Sequence, residues 1–294
     1  MVNHDKKEDI EKIVLDALSK SNSLGVFPTP VDKIIKYADL RVNSRVDLSA
    51  IPSTFFAKGD LFIKRTMAII RGALDRREKI IYLDQSQIPA RQNFVMLHEV
   101  GHELCGWQGS LLKVLQDNDE TLDPEIDDEF EAEANLFASS ALFQLNIFTD
   151  KMKELPLELD TSRHLAKLFG GSFHAAIRRY VNNSPKRCAV LILNKEKGST
   201  YSLPKLTLRT YIESPAFKEE WGGIDWGTEF SYDIPFVQDF MANRRMLKSE
   251  LDIEWMGETI ACDYHYFHNG HNVFVFMFPK GESVKSRTTF ITAI

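Results

Sequence analysis

The sequence predicts an α+β protein: a mainly helical N-terminal part that includes a small β-sheet, followed by a smaller α/β part. Apolar residues recur at helical spacing over much of residues 1–184, short apolar runs alternate with polar turns between 61 and 83, and β-rich runs prevail after 187. A chain of 294 residues is too long for one typical domain. We therefore expect two domains, 1–184 and 185–294, divided near Asn182-Asn-Ser-Pro185.

The bulk composition is that of an ordinary globular protein and excludes several classes. Hydrophobic residues make up 44% of the chain and charged residues 27%, without an apolar stretch long enough for a membrane span. Three widely spaced cysteines argue against a disulfide framework, and the N-terminus does not resemble a secretory signal, so a cytoplasmic location is expected. The net charge of −6 disfavours nucleic-acid binding by the whole chain, although a basic patch would still permit it.

Two helices are predicted at the N-terminus, and a small sheet follows them. Residues 5–21 place apolar side chains at helical spacing, and a second, short helix is expected over 31–37, after Pro28-Thr-Pro30. Three short apolar runs then predict strands: Leu61–Ile63, Met67–Ile70 and Lys79–Leu83.

The next predicted helix, residues 91–107, contains His98-Glu99-Val100-Gly101-His102. Residues four apart lie about 40° from each other around a helix of ~3.6 residues per turn, so the imidazoles of His98 and His102 can reach one ion. Glu99 projects beside the first histidine, where its carboxylate could take a proton from water. This H-E-x-x-H pattern predicts a metal site with Glu99 as catalytic base. The alternative, polar residues on an exposed helix face, is disfavoured because the helix is apolar around them.

A strongly acidic segment follows this helix. Between Asp117 and Glu133 there are ten acidic residues and no lysine or arginine. Such a run is most often a solvated loop, but beside a catalytic site it could also attract a basic protein substrate. From about Asp127 the segment acquires helical character.

The second helix is expected to supply a third ligand, because a catalytic zinc site uses three protein ligands and one open position. Glu131 is the predicted ligand, and Asn135, four residues on, is predicted to hydrogen-bond a ligand from behind. Glu133 points roughly to the opposite side of the helix. Gln108 stands where the extended H-E-x-x-H-x-x-G-x-x-H pattern requires histidine, which excludes that pattern.

Residues 161–182 are typical of two helices separated by a Gly-Gly-Ser turn. One interpretation is a helix-turn-helix whose basic residues contact nucleic acid. The favoured interpretation is an αα-hairpin that packs on the helices of the metal site. Beyond it, residues 187–193 predict a buried strand, and two β-rich runs around Asn269-Gly270 predict a hairpin.

These paired motifs resemble the ImmA/IrrE family of metallopeptidases. The resemblance rests on Arg91–His102 and Glu131–Ala138, with further agreement in the Ile70–Asp75 turn, and it covers about residues 8–182. It implies a zincin-like peptidase domain that includes the helix-turn-helix-like hairpin. One departure is Phe143-Gln144, where the family often has Met-Pro.

The resemblance also implies a site and an activity. His98, His102 and Glu131 would bind zinc, with manganese as the alternative metal, and Glu99 would be the catalytic base. The implied reaction is hydrolysis of a peptide bond by metal-activated water in a regulatory protein, namely a DNA-binding repressor encoded nearby. Residues 185–294 would then be a GAF-like sensor domain, as in some members.

Two other functions stay open from the sequence. One is a non-catalytic DNA-binding or sensor regulator with a structural metal, and the other is the toxin component of a toxin–antitoxin or defence pair. The donor that would stabilise the oxyanion also stays open, with His164, His174 and Tyr180 as candidates by residue type. The sequence predicts no membrane partner, and it leaves the oligomeric state undetermined.

Overall fold

The computed structural model describes residues 2–44, 72–117, 123–196 and 205–283. Helices and sheets both occur, which confirms the α+β class. The chain forms two compact units: Met1–Phe148 with Ala166–Ser172, and Thr149–Leu165 with Phe173–Ile294. The domain boundary at 184/185 stays a prediction. The strands predicted at 61–63 and 67–70 lie outside the described residues.

The first unit is mainly helical. Helix α1 begins after Asn3, whose side chain accepts a hydrogen bond from the backbone N–H of Lys6 and so caps the helix. The predicted second helix is confirmed over the same residues, 31–37. The helices of this part of the chain are α1 (His4–Lys20), α2 (Val31–Tyr37), α3 (Pro89–Leu104), α4 (Gly106–Asp117), α5 (Pro124–Leu142), α6 (Asn146–Lys153) and α7 (Leu159–Phe169), the last two shared with the second unit.

The continuous helix predicted over 91–107 is wrong at its C-terminal end. Cys105 leaves the helical conformation, with φ −73° and ψ +73°, and the chain turns there from α3 into α4. A straight helix would carry residues 102 and 108 on different faces. The turn instead folds the start of α4 back toward the end of α3.

A three-stranded sheet completes the first unit, in the order β1 (Arg41–Asn43), β3 (Ile80–Leu83), β2 (Gly72–Asp75). β3 confirms the strand predicted at 79–83. The β2–β3 hairpin turn is held by Asp75, whose carboxylate accepts hydrogen bonds from two backbone N–H groups of the turn. From this turn Arg76 donates to the backbone oxygen of His102 at 2.7 Å, which attaches the hairpin to the end of α3.

Close packing of α3 on α5 depends on a glycine. A Cβ added to Gly101 would lie 3.0 Å from Cβ of Phe137 and 3.2 Å from Cα of Ala134. These distances are shorter than ordinary van der Waals contacts, so only glycine allows the two backbones this approach. The approach brings the histidines of α3 beside the acidic side chains of α5.

The second unit contains a six-stranded sheet in the order β6-β5-β4-β9-β8-β7. The prediction of an α/β C-terminal part is wrong, because every strand pair of this sheet is antiparallel. Antiparallel neighbours need only short connections, whereas an α/β fold needs helical crossovers. The elements are β4 (Ala189–Glu196), β5 (Lys205–Glu213), α9 (Pro215–Trp221), β6 (Glu229–Phe230), α10 (Pro235–Met241), β7 (Met246–Trp255), β8 (Glu258–His268) and β9 (Asn272–Pro279).

The β8–β9 hairpin predicted around Asn269-Gly270 is confirmed. The helix–turn–helix order predicted over 161–182 is also present, as α7, a turn, and α8 (Phe173–Asn182). The packing predicted for this hairpin, against the helices of the candidate metal site, is confirmed for its turn, where Asn93 of α3 donates to the backbone oxygen of Gly170 at 3.0 Å, whereas α8 belongs to the second unit. Its apolar face packs on the large sheet, with the ring of Phe173 4.7 Å from Phe274 and that of Tyr180 5.7 Å from Phe276. Nowhere in the described chain is a helix long and apolar enough to cross a membrane.

Candidate metal centre

Three side chains from α3 and α5 converge on one point. His98 and His102 lie one turn apart on α3, and their Nε2 atoms are 3.0 Å from each other. Each Nε2 is 3.4 Å from a carboxylate oxygen of Glu131 on α5. One nitrogen or oxygen donor from each residue therefore lies within 4.8 Å of the other two.

This cluster lies at the edge of the core of the first unit. Both imidazoles are fully buried, at 0% exposure, while the Glu131 side chain retains 22% exposure. The apolar neighbours of the histidines on α3, Val95, Leu97 and Val100, are buried as well. The cluster is therefore buried among apolar side chains at its histidines and partly exposed to solvent at Glu131.

Burial and mutual contact set the charges of the cluster. Burial lowers the pKa of His102 to about 4, so its imidazole is neutral at neutral pH. Burial opposes ionisation of Glu131, but hydrogen bonding to His102 and His98 outweighs it and holds the pKa of that carboxyl below its usual range. Neutral imidazole and ionised carboxylate are the forms that bind a metal ion.

Glu99 is buried beside this cluster. Its side chain is 1% exposed, and its Oε1 has no hydrogen-bond partner within the described part of the chain. Burial raises the pKa of Glu99 to about 7, and the nearby carboxylate of Glu131 adds to the rise. A glutamate in such a state can accept and release a proton near neutral pH.

The donors fit a divalent cation. A tetrahedral ion with ligands at roughly 2.0–2.1 Å has neighbouring ligands about 3.3–3.4 Å apart. The observed separations of 3.0 and 3.4 Å are close to this spacing. Two imidazole nitrogens and a carboxylate are the donor set of catalytic zinc sites of the two-histidine, one-glutamate type.

Side chains of α4 and α5 form hydrogen bonds on the Nδ1 side of the His102 ring, away from Glu131. Its Nδ1 lies 2.8 Å from Oε1 of Gln108, and Nε2 of Gln108 donates to Oε2 of Glu133 at 2.7 Å. The indole N–H of Trp107 donates to the same carboxylate oxygen at 2.8 Å. The sequence reasoning missed Gln108 and Glu133 as supporting residues.

Asn135, predicted to support a ligand from behind, is exposed and has no hydrogen bond to any described residue of the site. It lies one turn beyond Glu131, on the side of α5 that faces solvent. The three candidate oxyanion donors, His164, His174 and Tyr180, belong to the second unit. There the Tyr180 hydroxyl donates to the backbone oxygen of Pro156 at 3.3 Å, and burial raises its pKa above the usual range.

Phe143-Gln144, which stands where the ImmA/IrrE family often has Met-Pro, has a local structural role. α5 ends at Leu142, and the amide of Gln144 is buried. Its oxygen accepts from Gly25 N–H at 2.7 Å, and its nitrogen donates to the Val26 carbonyl at 2.8 Å. This side chain thus fastens the α1–α2 connection to the end of α5.

Comparison with known proteins gives one family. A family profile, Peptidase_M78, described as the IrrE N-terminal-like domain, matches residues 62–180. No curated protein gives a significant match. Among solved structures, a Mycobacterium tuberculosis transcriptional regulator is similar over 94% of this chain and 76% of its own, with a TM-score of 0.52 and 14% identity. At that identity the likeness concerns the fold alone.

The matched residues include the whole histidine–glutamate cluster, and the family profile agrees with the resemblance seen in the paired motifs. That His98, His102 and Glu131 bind a metal and that Glu99 is the base stay predictions. Over residues 62–180 the chain therefore matches the IrrE N-terminal-like domain of Peptidase_M78, which confirms the resemblance to the ImmA/IrrE family for that part of the chain.

Proposed function

We propose that this protein is a metal-dependent endopeptidase that hydrolyses a peptide bond in a regulatory protein, with a helix-turn-helix repressor as the substrate. The supporting observation is the convergence of two buried imidazole nitrogens and a carboxylate within 4.8 Å, beside the buried carboxylate of Glu99, one oxygen of which is unpaired among the residues that the structure describes. A structural zinc site is closed by four ligands and usually rich in cysteine. The cluster offers three ligands, none of them cysteine, and so favours catalysis.

In this proposal His98, His102 and Glu131 hold the ion, either zinc or manganese. When bound, the ion supplies Lewis acidity that polarises the scissile carbonyl and makes a water molecule more acidic. Glu99 accepts the proton of the attacking water and then delivers it to the nitrogen of the leaving peptide as the C–N bond breaks. Its burial supports both steps, because a carboxylate with a pKa of about 7 exchanges a proton readily at neutral pH.

The proposed partner is a DNA-binding repressor encoded beside this chain. DNA-binding domains are basic, and the acidic run from Asp117 to Glu129 carries eight carboxylates and no cationic side chain. Opposite charge on the two partners would speed their encounter. The match of residues 62–180 to the IrrE N-terminal-like domain of Peptidase_M78 supports the peptidase reaction, and the substrate itself is our inference.

The test is co-expression of the protein with the neighbouring repressor. The wild type should yield a discrete cleavage product, and Glu99→Gln should yield none while still binding zinc. His98→Ala should lose both cleavage and zinc. Glu103→Gln is the matched control: Glu103 is one turn further along α3 and pairs with Lys79, so its loss should leave cleavage unchanged.

Two results would contradict the proposal. Cleavage at the same bond by Glu99→Gln would remove Glu99 from the mechanism. A purified wild type that binds zinc but cuts neither the repressor nor any other co-expressed protein would favour a regulator with a structural metal.

A further inference from the structure

We propose that Gln108 and Glu133 are positioning residues that keep the proton of His102 on Nδ1 and so direct its Nε2 lone pair toward His98 and Glu131. This inference rests on the proposed function of that cluster as a metal site. It assigns a role to two buried polar side chains that neither bind the ion nor take part in proton transfer.

The orientation of the Gln108 amide follows from its partner. Glu133 receives two hydrogen bonds at the same oxygen, from Nε2 of Gln108 at 2.7 Å and from Nε1 of Trp107 at 2.8 Å. A carboxylate accepts hydrogen bonds and an indole only donates, so the amide must present its N–H₂ group to Glu133. The other end of the amide, Oε1, then faces His102.

The tautomer of His102 follows in turn. Oε1 of Gln108 lies 2.8 Å from Nδ1 of His102 and can only accept a hydrogen bond. The proton of a neutral imidazole must therefore be on Nδ1. Nε2 is left with its lone pair, and it is the atom that lies 3.4 Å from Glu131. Carboxylate, amide and imidazole thus form a relay that ends at the predicted ligand atom.

The two histidines of the site differ in this respect. Nδ1 of His98 is buried and has no hydrogen-bond partner among the residues that the structure describes. No described side chain therefore sets its tautomer, whereas His102 is fixed by two elements, α4 and α5. Outer hydrogen bonds of this kind orient metal-binding histidines and increase their basicity.

Burial of Gln108 and Glu133 costs free energy unless their polar atoms stay hydrogen-bonded. Gln108 is 0% exposed and Glu133 is 5% exposed. Unpaired, a buried amide or carboxylate would destabilise the fold. Trp107 is half-buried, and the ammonium group of Lys6 lies 4.1 Å from the centre of its ring. The arrangement is therefore stable only while every member keeps its partner.

The first experiment replaces Gln108 by methionine, which has similar volume and cannot accept a hydrogen bond from Nδ1–H. Zinc affinity of the full chain, measured by competition with a chromophoric chelator, should fall about 10–100-fold, the usual cost of losing an outer partner of a metal ligand. Ser110→Ala is the matched control, since Ser110 lies on α4 and bonds only to the backbone of its own helix. It should bind zinc as the wild type does.

A pair of substitutions shows whether Gln108 supports zinc binding through its hydrogen bonds or only by filling space. Gln108→Glu places two carboxylates side by side and should weaken zinc binding. In the double variant Q108E/E133Q the new carboxylate again accepts from His102 and from the amide nitrogen of residue 133, and Trp107 must turn to the amide oxygen of residue 133, because the nitrogen cannot accept its hydrogen bond. Affinity should return toward that of the wild type. This pair decides the question even if Gln108→Met does not fold.

The relay also has a spectroscopic signature. In the zinc-loaded wild type, nitrogen-15 NMR should show a slowly exchanging Nδ1–H for His102, and Gln108→Met should lose it. Unchanged zinc affinity and an unchanged Nδ1–H resonance in Gln108→Met, or no recovery in Q108E/E133Q, would overturn the inference. A wild type that binds no zinc at His98, His102 and Glu131 would instead overturn the proposed function.

Discussion

The chemistry of this protein is concentrated in a few side chains whose surroundings differ sharply. His98 and His102 are fully buried, Glu99 is buried and one of its oxygens has no hydrogen-bond partner in the described ranges, and the Glu131 side chain is partly exposed. The partly exposed residue is the one through which water and a peptide could reach the cluster. The buried carboxylate of Glu99 and the partly exposed carboxylate of Glu131 thus suit the two roles proposed for them, base and metal ligand.

A prediction at this scale concerns Glu131. Glu131→Ala should weaken zinc binding by more than the ~10–100-fold typical of losing an outer partner, because one of three direct ligands is removed. Glu129→Ala provides the matched control, since Glu129 is on the same helix and is exposed. Isothermal titration of the two variants checks this. Equal zinc affinities would show that Glu131 is not a ligand.

The convergence of His98, His102 and Glu131 could be predicted from the sequence because their spacing encodes their geometry. Residues four apart share a helix face, and an acidic helix downstream is the natural source of a third donor. Gln108 could not be found in the same way. Its contact with His102 depends on the chain leaving the helix at Cys105, and a straight-helix assumption places Gln108 on another face. The same reasoning failed for Asn135, because helical spacing alone does not say which side meets solvent.

The site is assembled by two helices, α3 and α5, that approach each other closely at Gly101. This contact determines how far the imidazoles of α3 lie from the carboxylate of α5. The β2–β3 hairpin restrains the same region, since Arg76 donates to the His102 backbone oxygen at the C-terminal end of α3. A guanidinium group there also complements the negative end of the helix dipole.

The prediction for these elements is that Gly101→Ala destabilises the fold. The added methyl group would meet Phe137 and Ala134 at 3.0–3.2 Å, and overpacking of this kind costs about 1–3 kcal/mol. Gly106→Ala is the control, because nothing lies within 4 Å of a Cβ added there. The free energies of unfolding in urea should differ accordingly. An unchanged stability of Gly101→Ala would mean that α3 and α5 can separate at little cost.

At the element scale the sequence predicted α2, β3, the acidic helix and the β8–β9 hairpin, each of which has a local pattern. The predictions that failed concern tertiary structure, that is, how strands pair and which elements pack together. The α/β class predicted for the C-terminal part is wrong because β-rich runs do not reveal how strands pair, and every pairing in the sheet there is antiparallel. Similarly, α8 has an apolar face that would suit either a helix or a sheet, and its sequence does not identify its partner.

At the scale of the whole molecule, charge is distributed unevenly along the chain. The net charge is −6, and eight carboxylates lie within the acidic run of residues 117–129. Residues 118–122 of that run lie outside the part that the structure describes, whereas its later residues form the start of α5. The sensory role expected for residues 185–294 stays a prediction.

The acidic run gives a prediction about substrate encounter. Changing carboxylates at the start of α5 to amides should lower kcat/KM for a basic repressor ~10-fold at low salt and leave it unchanged near 1 M salt, where charges are screened beyond about 3 Å. Equal rates at low salt would show that the run is only solvated. The substituted residues would be Glu125, Asp127, Asp128 and Glu129. A control variant would carry the same number of carboxylate-to-amide changes at exposed positions of the second unit, namely Glu196, Glu219, Asp252 and Glu258.

The central claim is that one divalent ion is bound jointly by α3 and α5. Its most direct test is anomalous diffraction at the zinc edge from crystals of the full chain grown with zinc. We expect one strong peak in contact with Nε2 of His98, Nε2 of His102 and the carboxylate of Glu131. A peak bound elsewhere, or none at these three side chains, would contradict the account.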